Sequence, residues 1–591
     1  MEAGAGWRAA ATWPTESPPS LPFPPFIVGG PITVSWHGSA DPSTHDMVAL
    51  YYASSLPVNA AASEPLKLVP ASLSPTHLPL GRGSVTFIVD NLRWPVVAVM
   101  TNARWGKDKV TTRAVSGEVS FSAPNAPQQL HTAPGANETT AVVQWVTKDT
   151  ASPRLRWGSA PDALTAGDVA ATTSTYTRAD LCGAPAATKG WTDPGALHRA
   201  TVTGLARGGP RIFFEAYDGA DPSTPPARGS YTPPPPPASP TRILYMADVG
   251  AAGADGAASG GWSFPTSRNT SASLAADAES DGFRGTLIVH GGDVSYAHGF
   301  GPGWDAFFNQ FSPATASAAY VAAIGNHERL SPNSGDRYSN ASDSGGECGV
   351  PFRARIASPG ADPAATWWSL NWGAVHFLVF NTEVDFAPGS DQHSFVAADL
   401  AGVDRAATPW LVAVGHRPMY IDSAYAGGGT AADQVVAADL RDALEPLFIS
   451  SGVDLTLAGH HHSYQRTCPT VNGSCVADGR GPVHVVAGHG GADLTDGSMQ
   501  DPTPPLFRAI DFEHGYLRIA TDADTLTVTA VRSADRSTVD EFSLRVADRA
   551  RARPARAPAV AAATAAAVAP APAAAATERR SRRLAGGQVV R

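Results

Sequence analysis

Thr286-Leu287-Ile288-Val289-His290-Gly291-Gly292-Asp293-Val294-Ser295-Tyr296 is an apolar, β-branched run that stops at two glycines and then delivers an acid and a phenol. Four further runs end in the same manner. Ile243–Ala247 ends in Asp248, and Tyr320–Ile324 ends in Gly325-Asn326-His327-Glu328. Trp410–Val414 ends in Gly415-His416-Arg417, and Leu455–Ala458 ends in Gly459-His460-His461-His462. Short apolar runs of this kind read as buried strands, and here they alternate with stretches of helical character such as Ser394–Leu400 and Ala432–Leu447. The expected fold class of this part is therefore α/β. Strands are also expected at Val375–Phe380 and Val483–Ala487. Sites in such folds form at the carboxyl ends of the strands, so five strand ends bring potential ligands to one edge. The adjoining glycines allow the turns to be tight.

Asp248, Asp293, Tyr296, Asn326, His416, His460 and His462 make seven candidate metal ligands. One ion rarely needs so many, whereas two ions sharing a carboxylate need about this number. Asp293 suits the bridge, because a carboxylate offers an acceptor oxygen to each side. The absence of thiolates points to hard or borderline metals. A Gly-Asp turn or a lone histidine is usually structural. The order and strand context of the whole set point to metal binding instead.

The set resembles the purple acid phosphatases, a branch of the calcineurin-like metallophosphoesterases. That family carries Gly-Asp-x-Gly, Gly-Asp-x-x-Tyr, Gly-Asn-His-Asp/Glu, Val-x-x-His and Gly-His-x-His. The corresponding residues here are Ala247–Gly250, Gly292–Tyr296, Gly325–Glu328, Ala413–His416 and Gly459–His462. Asp343–Pro351, Gly415–Tyr420 and Leu181–Ala186 resemble the large plant-type members. Ala247 and Ala413 depart from the family's Gly and Val, and Gln465 stands where relatives often carry Glu.

The resemblance implies a catalytic β-sandwich flanked by helices and preceded by fibronectin-like domains. It implies a ferric ion on Asp248, Tyr296, His462 and bridging Asp293. A divalent ion (zinc, manganese or ferrous iron) would sit on Asp293, Asn326, His416 and His460. The implied reaction is acid hydrolysis of a small phosphate monoester by a metal-bound hydroxide. Phosphodiesters and nucleotide pyrophosphates are the alternative substrates, and a non-catalytic binding protein is the reading from another class. His327 is expected to protonate the leaving group, or else to position Asn326. Asn326, His327 and Arg417 are expected at the substrate, with His298, His461 and His489 near the same edge.

Upstream, Ile32–Trp36, Val48–Tyr52, Val85–Val89 and Val96–Met100 suggest a β-sandwich over 27–120. Ala141–Val146, Arg154–Trp157, Ala200–Leu205 and Arg211–Ala216 suggest a second, fibronectin-like one over 121–232. A proline-rich spacer is expected at 233–241 and the catalytic domain at 242–548. Residues 1–26 and the Ala-, Pro- and Arg-rich 549–591 are expected to be disordered.

A net charge of −10 and a pI near 5.9 give no basic footprint for nucleic acid. No apolar stretch reaches the roughly 18–20 residues of a membrane span. Met1–Pro25 lacks the basic and apolar regions of a signal peptide. Sequons at Asn137, Asn269, Asn340 and Asn472 weakly favour a secreted glycoprotein, and the resemblance favours a secreted, vacuolar or cell-wall location. Four cysteines, Cys182, Cys348, Cys468 and Cys475, are too few for a disulfide scaffold; Cys468 and Cys475 could form a local bridge or stay unpaired. The oligomeric state is left open, a homodimer among the options.

Overall fold

The computed structural model describes residues 30–552, apart from 40, 56–63, 103–111, 258–262, 281–284, 361, 363, 426–431, 478 and 496–498. The expected disorder of 1–26 and of 553–591 thus lies outside the described residues.

The half of the chain expected to be catalytic, called the catalytic half on that account, is built on two stacked sheets. In the first, Thr241–Met246, Leu287–His290 and Ala319–Ala322 run parallel, and Gly515–Thr521, Thr525–Arg532 and Thr538–Arg545 continue the sheet antiparallel. In the second, Val375–Val379, Trp410–Val414, Leu455–Ala458 and Val483–Ala487 run parallel. Strict alternation decides which side chains face which layer. Ile243, Tyr245, Leu287 and Val289 pack inward against Phe377, Val412, Leu455 and Val485. Leu244, Met246 and Ile288 point outward, onto the helix Gly301–Thr315. On the other side Leu378, Leu411 and Ala413 meet Asp391–Gly402 and Asp433–Ser451. Each strand is covered on both faces, which is why its sequence reads as a continuous apolar run. The ligand-bearing turns therefore rise from two facing sheets rather than one.

The upstream sandwich is not a separate body. Its strands Thr172–Ser174, Ala196–Val202, Ala141–Thr147 and Gln128–Pro134 extend the first catalytic sheet to ten strands, joined where Thr132 pairs in parallel with Ala319. Thr132 Oγ1 donates to the Ala318 carbonyl at 2.9 Å. Buried Asp305, on the catalytic helix, accepts from Gln129 at 2.9 Å and Arg355 at 3.0 Å, and Arg93 of the first sandwich adds a third contact. The proline-rich segment is likewise packed, with Pro233 and Pro234 buried and the Pro234 carbonyl accepting from Gly208 N. The proline-rich spacer expected there thus lies against the rest of the chain at Pro233 and Pro234.

The first sandwich comprises the pair Pro31–Trp36 and Gly83–Ile88 facing a four-stranded sheet built on Met47–Tyr52 and Val96–Thr101. It meets the catalytic half at Asp255, whose carboxylate accepts from Lys67 Nζ and Ile88 N. At the other end the helix Val546–Ala552 carries order past residue 548, and Arg549 reaches Asp454 at 2.8 Å. Both cysteine pairs are bridged: Cys182–Cys348 ties the second sandwich to the catalytic half, and Cys468–Cys475 closes a hairpin.

Candidate metal centre

The backbone leaves its strands through unusual conformations. Asp248, Asp293, Tyr296, His298 and His460 all have positive φ, between 48° and 71°. Such residues are held in place by the surrounding structure at a cost of about 1–3 kcal/mol each, and they cluster at functional sites. Glycine is required beside them. A Cβ on Gly292 (φ 97°) would stand 2.6 Å from His416 Nδ1, and one on Gly459 would stand 2.3 Å from Asp248 Oδ2. Ala247 and Ala413, the two family departures, are fully buried and lie among the packed core side chains.

The seven candidate ligands come together in two groups. In one, the Tyr296 hydroxyl lies 3.0 Å from Asp248 Oδ1 and 2.8 Å from His462 Nε2, which is itself 3.4 Å from Asp248. In the other, Asn326 Oδ1 lies 2.9 Å from His416 Nε2 and 3.1 Å from His460 Nδ1, and His416 lies 3.2 Å from Asp293 Oδ2. Donor atoms of Asp248, Asp293 and His416 all fall within 4.8 Å of one another, which brings the two groups together at these carboxylates.

This donor set fits cations. Two buried carboxylates this close require positive charge nearby. Burial opposes ionisation of Asp293, yet His416 and His327 hold it well below the usual carboxylate range. Burial also opposes charge on His416, but Asp293 and then Asp248 carry it up to about 10. Burial first and Asp248 next push the Tyr296 phenol well above its ordinary value. A bound cation would supply positive charge to both carboxylates and would favour the phenolate.

Supporting side chains fix the ligands. His416 Nδ1 lies 3.0 Å from the Gly291 carbonyl, and His462 Nδ1 lies 2.5 Å from that of Asp493. Each ring thus turns its other nitrogen toward the centre, as metal-bound imidazoles do. His460 Nε2 meets Asp433 Oδ1 at 3.1 Å, from the first residue of Asp433–Ser451. Glu328 gathers the main-chain N–H groups of Asp293, Val294 and Gly325 at 2.7–3.0 Å. Asp433 carries no sequence signal, since an acid at a helix start is ordinary capping. Glu328 was legible as part of its motif but its role was not.

The expected substrate residues separate. His327 is partly exposed, 3.8 Å from Asp293 Oδ2, and its ring lies against Tyr296 with centroids 4.6 Å apart. His298 packs beside it at 4.7 Å. Arg417 is buried, donates to Glu383 at 2.8 Å and reaches His460 Nε2 at 3.2 Å. His461 turns away to Ser463 at 2.8 Å, and His489 is buried against Tyr464. Gln465 accepts from Asp422 N and donates to the Asp422 carbonyl, a two-way contact that a carboxylate could not make.

Family models match three consecutive parts of the chain: the purple acid phosphatase N-terminal domain over 127–210, calcineurin-like phosphoesterase over 241–464, and the iron/zinc purple acid phosphatase-like C-terminal part over 481–541. Among curated proteins, probable inactive purple acid phosphatase 1 of Arabidopsis thaliana is 32% identical over 82% of this chain and 79% of its own. A nucleotide pyrophosphatase/phosphodiesterase of Hordeum vulgare is 32% identical over 51% of this chain and 82% of its own. Among solved structures, the purple acid phosphatase PPD1 of Lupinus luteus matches with a TM-score of 0.79 and 28% identity, over 87% of this chain and 93% of that one.

Proposed function

Because this chain belongs to the purple acid phosphatase family, we propose that it is an active hydrolase of small phosphate monoesters, working at a centre of one ferric and one divalent ion. The observation that carries this reading is the complete ligand set, seven side chains at contact distance in two groups around Asp293. Asp248, Tyr296 and His462 would hold the ferric ion, Asn326, His416 and His460 the divalent one (zinc, manganese or ferrous iron), and Asp293 both. When bound, the ions would supply the charge that draws in the phosphoryl oxygens and lowers the pKa of an attacking water.

The chain's own residues do the rest. His327 Nδ1 lies 3.1 Å from the Asp343 carbonyl, an acceptor only, so Nδ1 carries a hydrogen. Nε2 then faces the centre, and in the protonated ring its hydrogen is the one a departing alkoxide can take. Arg417 is paired with Glu383 and lies beside His460, so that wall of the site carries a fixed ion pair. A second reading, cleavage of phosphodiesters or nucleotide pyrophosphates at the same residues, is supported by the likeness to the barley protein.

The test is turnover of p-nitrophenyl phosphate, bis(p-nitrophenyl) phosphate and a nucleotide pyrophosphate near pH 5 by protein whose metals have been counted. Preference for the monoester is expected. His327→Ala should lower kcat at least about 100-fold at unchanged metal content. A preparation holding two metals per chain but turning over none of the three would leave a binding protein in place of an enzyme.

A further inference from the structure

We propose that Asp343 is the positioning residue that sets the working orientation of both Asn326 and His327; this rests on the reading of the site given above. The two are oriented by different parts of Asp343. Its carboxylate Oδ2 accepts from Asn326 Nδ2 at 3.0 Å. The two ends of an amide differ only in which donates and which accepts, and a carboxylate accepts only. Asp343 thereby assigns the NH2 end of Asn326 to itself and turns Oδ1 toward His416 and His460, at 2.9 and 3.1 Å. An oxygen in that place can bind a cation; an NH2 group cannot.

The main-chain carbonyl of the same residue takes His327 Nδ1 at 3.1 Å and His298 Nδ1 at 3.3 Å. It fixes both rings in one tautomer and leaves Nε2 of His327 for proton transfer.

The loop that carries Asp343 is itself anchored. Ser344 donates twice to the Leu330 carbonyl, from N at 3.1 Å and from Oγ at 2.8 Å. Leu330 directly follows the turn that bears Asn326 and His327. On the other side Gly345 and Gly346 accept from Ala186 and Cys182 of the second sandwich, and the Cys182–Cys348 bridge closes the contact. Asp343 is thus held from both flanks while remaining half-exposed, so its side chain can be changed with little effect on packing.

The division of labour gives a specific expectation. Asp343→Ala removes the carboxylate and keeps the carbonyl. Chelator competition, with iron and zinc counted, should show the divalent ion held about 10–100-fold more weakly. Asp343→Asn, which keeps an acceptor oxygen, should bind metal within about threefold of wild type, and both variants should melt within a few degrees of it. The inference is overturned if Asp343→Ala holds both ions at wild-type strength, or if Asp343→Asn loses as much as Asp343→Ala. Wild-type protein that binds no metal would be a different failure: it would remove the reading of the site itself.

Discussion

At the scale of single residues, the molecule combines a strained, charged centre with neutral buried histidines elsewhere. His198 is one of these. Its ring nitrogens lie 2.8 Å from Thr147 Oγ1 and 2.9 Å from Thr173 Oγ1, hydroxyls that can donate to one side of a neutral ring and accept from the other. Burial drives its pKa down to about 4. The folded state therefore binds fewer protons than the unfolded chain between about pH 6.5 and 4. The associated stability is complete above that window and is lost as pH falls through it, by about 3 kcal/mol in all. His198→Gln keeps hydrogen-bonding ends without titrating, so the drop in melting temperature between pH 7 and 4 should be smaller in the variant. Equal drops would contradict the assignment. The seven candidate ligands were legible as polar residues after apolar strands. Asp433 and Glu383 were not, because each acts through a partner about thirty residues away and leaves no local pattern; Asp343 was legible as part of the stretch Asp343–Pro351, but its contacts were not.

At the scale of elements, strand positions were readable to within a few residues, since apolar runs and glycine stops mark them directly. The helix Ser267–Ser280 was not placed. Its buried positions include Ser267, Thr270, Ser271, Ser273 and Asp277, so burial there does not follow hydrophobicity. Nor did local pattern show that Gln128–Pro134 would pair with Ala319–Ala322, a contact nearly two hundred residues apart in sequence. That pairing has a consequence. A fragment of residues 233–552 would expose the edge of Ala319–Ala322 and leave Asp305 without Gln129 and Arg93. Removing one side of a buried charged network costs about 3–5 kcal/mol, and an open edge invites association. The fragment should aggregate or melt well below the chain that retains residues 30–232. A monomeric fragment with an unchanged melting temperature would show the sandwich to be dispensable.

At the scale of the whole molecule, two stacked sheets supply the candidate ligands, and the upstream sandwich contacts the loop 343–348 beside them. The α/β class and the strand-end site were legible because they depend on local runs. The fusion of the domains was not, and neither was the Cys182–Cys348 bridge, because four cysteines allow three pairings and spacing does not choose among them. The bridges suit an oxidising compartment. Among the described residues no helix is long and apolar enough to cross a membrane.

The central claim is that Tyr296, Asp248 and His462 hold a ferric ion next to a second metal. It is tested most directly by the visible absorption spectrum of the purified protein, with iron counted on the same sample and on Tyr296→Phe. The wild type should show a broad phenolate-to-iron band with about one iron per chain in that site, and Tyr296→Phe should lose the band. A full complement of iron with no band, or a band that survives in Tyr296→Phe, would contradict it.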